Sequence, residues 1–455
     1  MYGKLGKTRT WAVRGAWAAA TVVAAFAGGA LFGASAHAVP GGASPYRNLG
    51  IFARVLAHVE TSYVEQVDQD ALVYGAIRGM MNTLDPHSSF MDPEEYRILT
   101  SDTEGRFGGI GVEIDVREGW LTVVSAIEGG PAARAGVRAG DAFLAIEGRS
   151  ARDLPIDEAV RRMRGEPGTV VHVRLRREGV AQAIDVALTR EIIQVDAVDS
   201  RVLGDRIVYV QLKAFQDTTT TELRRALDAA VARTAGQGGV RGVLLDMRQN
   251  PGGLLDQAVL VSDEFLSSGV IVSTRGRGGQ LISEDRASSR GTRPAWPMVV
   301  LVDGYTASAA EIVAGALQDS RRALILGTRT FGKGSVQNII ELSDGSALKL
   351  TVARYYTPSG RSIQAHGIEP DIVFDQIDPR AIGGEGMQVH ESDLDRHLRG
   401  EREGADAPAP AAPGARGTPR AAPAAGAEDG EPFADDFQAR MAHQILRGLS
   451  QPQGR

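Results

Sequence analysis

Apolar residues change rhythm along this chain, and each rhythm predicts a different architecture. From residue 46 to about 100 they recur at helical spacing, with Leu49, Phe52, Val55, Leu56 and Val59 on one face of a first helix. "QDALVYGAIRGMMNTL" forms a second helix, with Asp70 placed to cap it. "DPHSSFMDPEEY" then supplies turn chemistry, and His87 within it reads as structural. Over 105–179 the period shortens towards two. Strands are expected at 112–116, 121–125, 142–146 and 170–176, with short helical stretches at "PAARAG" and "PIDEAVRRMR". Past "LTREIIQVDAV" the runs become continuously apolar. "RIVYVQL", "VRGVLLDMR", "PMVVLVD" and "RALILG" read as interior strands. "TTTTELRRALDAAVART", with threonines to cap it, and "LLDQAVLVSDEFL" fall between them, the alternation of an α/β fold with crossover helices. "ALKLTVARYYTPSG" returns to a β-branched, aromatic strand.

The two ends follow other rules. Lys4, Lys7, Arg9 and Arg14 precede an Ala/Gly-rich apolar run over 16–34, and "ASAHA" offers small residues at Ala36 and Ala38. Residues 1–38 therefore read as an export signal, cleaved after Ala38 or kept as an anchor, because the run approaches spanning length. The body is expected to be periplasmic or secreted, touching a membrane only through that segment. Near the other end, the Ala/Pro-rich tract 404–432 has no apolar period and reads as a disordered linker. A terminal amphipathic helix over 435–449, with Phe437, Met441, Ile445 and Leu449 spaced four apart, has to dock on something to be stable. The 455 residues allow two or three domains, and a formal charge of −6 gives no reason to expect nucleic acid as a partner. Without cysteine, disulfides, thiol catalysis and Cys-based metal sites are excluded.

Chemistry enters at "DGYTASAAEI", where a buried strand turns into a helix and presents Ser308. Ser308 is either a plain cap or a nucleophile beside backbone N–H groups that receive an oxyanion. Of the eight histidines only His366 lies in the α/β part near carboxylates, which leaves a Ser308-His366-Asp371 triad as one arrangement. Lys333, flanked by glycines in "GTRTFGKGSVQ", is the better base, since burial lowers an amine towards neutrality. Gln337, four residues on, falls on the same face of a strand and is placed to orient the lysine. "GTRTFGKGS" nearly matches a phosphate-binding loop, but Gly334 stands where Ser or Thr must follow the lysine, and "SVQNIIEL" is β-prone. "DMRQNPGGLL" leaves bare N–H groups at a strand-to-helix turn, as an oxyanion hole requires. The glycines of "GGIGV" (Gly108, Gly109, Ile110, Gly111, Val112) open a nest for a carboxylate before a strand edge.

The order "GGIGV", then "GGPAARAGVRAGDAFLAIEG", resembles a PDZ domain. With "GAIRGMMNTLDPHSSFMDPEEY", "LLDMRQNPGGLL", "VLVDGYTASAAEIVAGALQD" and "LKLTVARYYTPSGRSIQAHGIEPD", the chain from 46 to 372 resembles the carboxy-terminal processing proteases, serine endopeptidases with an inserted PDZ domain. That resemblance implies Ser308 as nucleophile, Lys333 as general base and Gln337 as its orienting partner. It also implies an oxyanion hole from Ala309 and Gly252 or Gly253, with Glu311 and Asp319 as supporting residues. It implies a crotonase-like α/β protease core, helical N- and C-terminal parts through which such enzymes dimerise, and protein substrates engaged by their C-terminal tails, with no metal or organic cofactor. An adaptor protein and a higher homo-oligomer are compatible partners. "DMRQNPGG" departs from the family's usual "DLRNNPGG" without touching a catalytic position. The domains read as 1–38 signal, 39–102 helical region, 103–190 PDZ domain, 191–378 protease core and 379–455 C-terminal region. The rival from another class is an inactive PDZ adaptor or scaffold with a protease fold, and the intact Ser308, Lys333 and Gln337 argue against it.

Overall fold

The continuously apolar runs become a six-stranded sheet in the order Val198–Val202, Ile207–Leu212, Gly242–Asp246, Met298–Val302, Leu324–Gly327, Ile372–Val373, parallel throughout except for the first pair. Gly242–Asp246 and Met298–Val302 are buried at every position, because a parallel sheet is covered on both faces. Successive side chains point to opposite faces and so join different cores. Val243, Leu245, Val300 and Val302 pack with the helices Thr219–Thr234, Leu255–Asp263 and Ala309–Asp319. Leu244, Val299, Leu301 and Leu326 pack instead with Ala439, Ala442 and Leu446 of the helix Phe437–Leu449.

The structure is a computed structural model that describes residues 45–117, 119–374, 389–400, 432–434 and 436–451. The export signal and nearly all of the Ala/Pro-rich linker lie outside these residues. Two compact units divide after Gly75. The first holds the helix Pro45–Ser62, whose Leu49, Phe52 and Val55 are exposed. It also holds the start of the helix Gln69–Met81, which is capped by Asp68, not Asp70: Asp68 Oδ1 accepts the N–H of Asp70 at 2.9 Å.

Within the second unit, "FMDPEEY" is more than a turn. Ser89–Met91 is a strand, and Asp92 caps the helix Pro93–Glu104 in a reciprocal box with Glu95. That strand belongs to an antiparallel sheet with Ala347–Tyr356, Val270–Arg275, Leu281–Arg286 and Ser335–Glu341. A third, antiparallel sheet holds the period-two strands Val112–Arg117, Trp120–Ala126, Ala142–Ile146, Val170–Arg176 and Ile184–Thr189. Its core is its own, around Leu121, Phe143, Val173 and Leu175. Where the chain enters and leaves this β-rich part, Arg106–Gly109 pairs with Glu191–Gln194 as an isolated two-stranded ribbon. The terminal helix docks on a different stripe from the one expected. Ala439, Ala442 and Leu446 are buried while Leu449 is 54% exposed, because small residues let the helix approach a flat sheet closely. Thr218 caps its helix without a side-chain hydrogen bond, its hydroxyl going to Glu222 instead.

Candidate active site

The strand Met298–Val302 ends at Asp303, whose Oδ1 accepts the N–H groups of Tyr305, Thr306 and, from the neighbouring turn, Gln249, each at 3.0 Å. Thr306 gives its hydroxyl to the Met247 carbonyl at 2.9 Å. These bonds hold a sharp turn that delivers Ser308 to the start of the helix Ala309–Asp319. Ser308 has φ 56° and ψ −117°, a conformation an L-residue adopts only when its surroundings impose it, at a cost of about 1–3 kcal/mol. Tyr355 lines the same cleft as Ser308, with its hydroxyl close to that of the serine.

Lys333 reaches the same place through a buried carboxylate. Glu311 Oε2 accepts the backbone N–H of Ser308 at 2.8 Å and that of Lys333 at 2.9 Å. Its Oε1 takes the Gly332 N–H at 2.8 Å and the Thr330 hydroxyl. One side chain thus sets the backbone of both candidate catalytic residues. Burial pushes the Glu311 carboxyl up to about 7, against those donors. A Cβ at Gly334 would lie 2.4 Å from the Gln364 nitrogen, so the loop after Lys333 admits only glycine. Gln364 accepts the Gly334 N–H at 3.0 Å and donates to Glu391 at 2.9 Å. Glu391, fully buried, also meets His87 Nε2 at 2.8 Å. Burial pushes the Lys333 amine down to about 8, with Lys349 acting in the same direction and Glu391, Glu311 and Asp85 opposing.

The turn after Gly242–Asp246 closes the constellation. Asn250, fully buried, accepts the Gly252 N–H at 2.9 Å, donates to the Leu212 carbonyl at 2.8 Å, and offers its own carbonyl to the Ala307 N–H at 2.9 Å. Gly252 has φ 99°, and a Cβ there would stand 2.8 Å from Ser308 Cβ. With the Gly252 N–H given to Asn250, the N–H groups of Gly253 and Ala309 remain without a partner among the described residues. Ser308, Lys333, Gln337, Lys349, Tyr355 and Gly253 line one cleft of about 1060 Å³, whose wall also includes Phe107 and Arg164 of the β-rich part.

Over 358 residues, 79% of this chain and 82% of the relative, the sequence is 45% identical to the carboxy-terminal-processing protease of Bartonella bacilliformis. The chain belongs to the carboxy-terminal processing proteases. It is a serine-type peptidase: the model of peptidase family S41 matches residues 206–374. The PDZ domain model matches 122–177, and that of the activating protease CtpB N-terminal domain matches 36–95. The carboxy-terminal processing protease CtpA of Bacillus subtilis is 37% identical over 69% of this chain and 66% of its own length. The solved photosystem II D1 C-terminal processing protease is 31% identical over 71% of this chain and 92% of its own, with a TM-score of 0.45.

Not every expected partnership in the protease forms. Gln337 lines the cleft, but its amide donates to Ser335 at 2.9 Å and Thr351 at 3.3 Å. Lys333 precedes the strand Ser335–Glu341, and a bulge interrupts that strand's pairing at Val336 and Gln337, so same-face spacing does not apply between the two. Asp319 sits at the far end of the helix that follows Ser308, where it accepts from Ser359 at 3.0 Å and Arg361 at 2.6 Å. His366 lines a separate cavity without Ser308, and Asp371 is spent on Gln318 and Ile325, so the triad does not assemble. Gly108 and Gly109 are strand residues of the ribbon and Ile110 is buried in the PDZ core, which leaves only Ile110 and Gly111 between that ribbon and Val112–Arg117. The open nest read from those glycines is therefore narrower than expected, because pairing with Glu191–Gln194 claims half of it. Tyr355, Lys349, Asn250, Gln364 and Glu391 were missed as parts of the site. Apart from Asn250, which bonds Gly252 two residues on, no local spacing marks them, since each acts through neighbours distant in sequence.

Proposed function

We propose that this protease is an exported endopeptidase that cleaves protein substrates near their C-termini with a Ser308–Lys333 dyad on a crotonase-like core, recruited and gated by its PDZ domain. The observation that carries the reading is the Glu311 carboxylate, which bonds the backbone of Ser308 and of Lys333 at once and so sets nucleophile and base in one frame. In the free-base form Lys333 Nζ takes the proton of Ser308 Oγ as the oxygen attacks the scissile carbonyl. The oxyanion that forms is received by the N–H groups of Ala309 and Gly253. On collapse the C–N bond breaks, Lys333 passes the proton to the leaving amine, and the acyl group stays on Ser308. Water, giving its proton to Lys333, then attacks the acyl carbon, the ester C–O bond breaks to release the acid, and Lys333 returns the proton to Ser308 Oγ. Gln337 acts at one remove, holding the strand beside the lysine through Ser335 and Thr351.

Lys333 Nζ has no hydrogen bond among the described residues, an arrangement that suits a resting site in which the dyad closes on substrate. We place the domains at 1–38, 39–102, 103–190, 191–378 and 379–455, with the first directing export and the third binding the substrate tail through Ile110, Gly111 and the edge of Val112–Arg117. The test is cleavage of a tailed protein by the full chain beside Ser308→Ala and Lys333→Ala. Each variant is expected to lose activity by at least about a thousandfold while remaining folded, because the two groups act as a unit. Near-normal turnover in Lys333→Ala overturns the reading.

A further inference from the structure

A second lysine faces the reacting groups. Lys349 lies near the start of the strand Ala347–Tyr356, in register with Ser89 on one side and Ile339 on the other, and lines the cleft with Ser308 and Lys333. Neither lysine amine has a hydrogen bond or ion pair among the described residues. The carboxylates around them are already occupied. Asp85 holds Ser88, the His87 N–H and Thr351; Glu391 holds His87 and Gln364; Glu311 holds its own donors. A partly buried cation without a counter-ion is costly in a folded protein, and the fold retains this one in the cleft that Ser308 and Lys333 line.

Resting on the Ser308–Lys333 reading, we propose that Lys349 is a positioning residue of the dyad, whose positive charge disfavours a second ammonium at Lys333 and so keeps the base ready to accept the serine proton. Activation of one amine by a neighbouring cation is an established route to a reactive lysine. The electrostatics point the same way. Burial lowers the Lys333 amine and the charge of Lys349 lowers it further, while burial lowers Lys349 as well. The groups acting on Lys333 are Lys349 from its strand, Glu311 from the nucleophile helix, Glu391 from the segment 389–400 and Asp85 from the turn before Ser89–Met91. Asp102, Arg164, Asp256 and Asp285 also line the cleft. The three nearer carboxylates oppose Lys349, but each shares its charge with the donors it already holds.

The experiment is the pH dependence of kcat/KM on a chromogenic peptide, for the full chain and for Lys349→Met, Lys349→Gln and Lys349→Arg, with folding checked by circular dichroism. Loss of the charge is expected to move the acid limb to higher pH. Activity at pH 7 then falls by roughly three- to tenfold in the Met and Gln variants, with the alkaline plateau kept. Lys349→Arg, which keeps the charge and is the variant safest for folding, is expected to keep the wild-type limb. An unmoved limb in either neutral variant, an equal loss at every pH, or an Arg variant displaced towards higher pH overturns the proposal. Ser308→Ala and Lys333→Ala run alongside. If either stays active, the dyad reading has failed; if both are dead and the limb stays put in Lys349→Met, only the role of Lys349 is lost.

Discussion

At the scale of the residue, Lys333 links activity to stability. The active form of a general base is unprotonated, so with the amine pushed down to about 8, activity is expected to climb about tenfold per pH unit through the acid range. It should level off above about 8. The stability linkage has its own sign. Unfolded, the lysine holds its proton up to the ordinary lysine range near 10.5, so between there and about 8 the unfolded chain binds more protons. The burial penalty is therefore present in full below about 8 and is relieved as pH rises through that window. Lys333→Met keeps the apolar stem and removes the charge. It is expected to be inactive yet about 1–3 kcal/mol more stable than the parent at pH 7, as measured by urea unfolding, with the gain shrinking at pH 10. A Met variant no more stable than the parent at pH 7 would show that the amine is not held in a desolvated setting. Much of this was legible locally, since a lysine between glycines after a strand is an unusual pattern. What gives Lys333 its character is burial, followed by the charge of Lys349 and the opposing carboxylates Glu391, Glu311 and Asp85, which come from other elements and carry no shared motif.

At the scale of the element, the terminal helix is tied to the turn that bears Gly252 and Gly253. Arg248, three residues before Pro251, bridges Asp246 and Asp436 at 2.6 Å each, and Asp246 also receives the Tyr209 hydroxyl at 3.0 Å. Asp436 caps Phe437–Leu449, whose Ala439, Ala442 and Leu446 cover one face of the parallel sheet. Asp436→Ala removes a cap and leaves Arg248 largely buried with a single carboxylate. The expected cost is about 2–4 kcal/mol in denaturant unfolding, with a fall in kcat larger than any rise in KM, because the turn bearing Gly252 and Gly253 loosens. A stop after residue 431 exposes the apolar face around Leu244, Val299 and Leu301, and should give aggregated protein on size-exclusion chromatography. A soluble, fully active truncation at that point would remove the helix from any structural role. The sequence marks the helix by its period, but its spacing-by-four stripe is not the buried one. Which stripe docks depends on how closely the backbone can approach the sheet, a property of the partner surface.

At the scale of the whole molecule, the PDZ domain is joined by the ribbon Arg106–Gly109 with Glu191–Gln194 and by the Arg164–Asp102 ion pair, while its sheet and core are separate from those of the peptidase. Phe107 of the ribbon and Arg164 of the domain nevertheless line the cleft that holds Ser308 and Lys333. A domain so attached can shift its population between arrangements when a ligand favours one of them. A substrate with a free apolar C-terminus is expected to be cleaved at least about fivefold faster than its amidated form by the full chain. That difference should vanish when 112–189 are replaced by a short linker that preserves both ribbon strands. Four equal rates, across the two substrates and two enzymes, would dismiss both recruitment and gating.

Read without its fold, the chain already carried its order of parts, the interior strands, the serine at a strand-to-helix turn, the glycine-flanked lysine and the two-glycine turn. These are local properties: apolar period, turn chemistry and backbone freedom are written within a few neighbouring residues. Tertiary structure decided the rest. It turned Glu311 from a helix-supporting residue into the carboxylate shared by Ser308 and Lys333, and gave Gln337 to Ser335 and Thr351. It set His366 in a separate cavity and brought Lys349, Tyr355 and Glu391 to the site from distant strands and segments. The physical reason is that proton affinity and hydrogen-bond choice depend on which charges and donors surround a group, and those neighbours are assembled only when the sheets close.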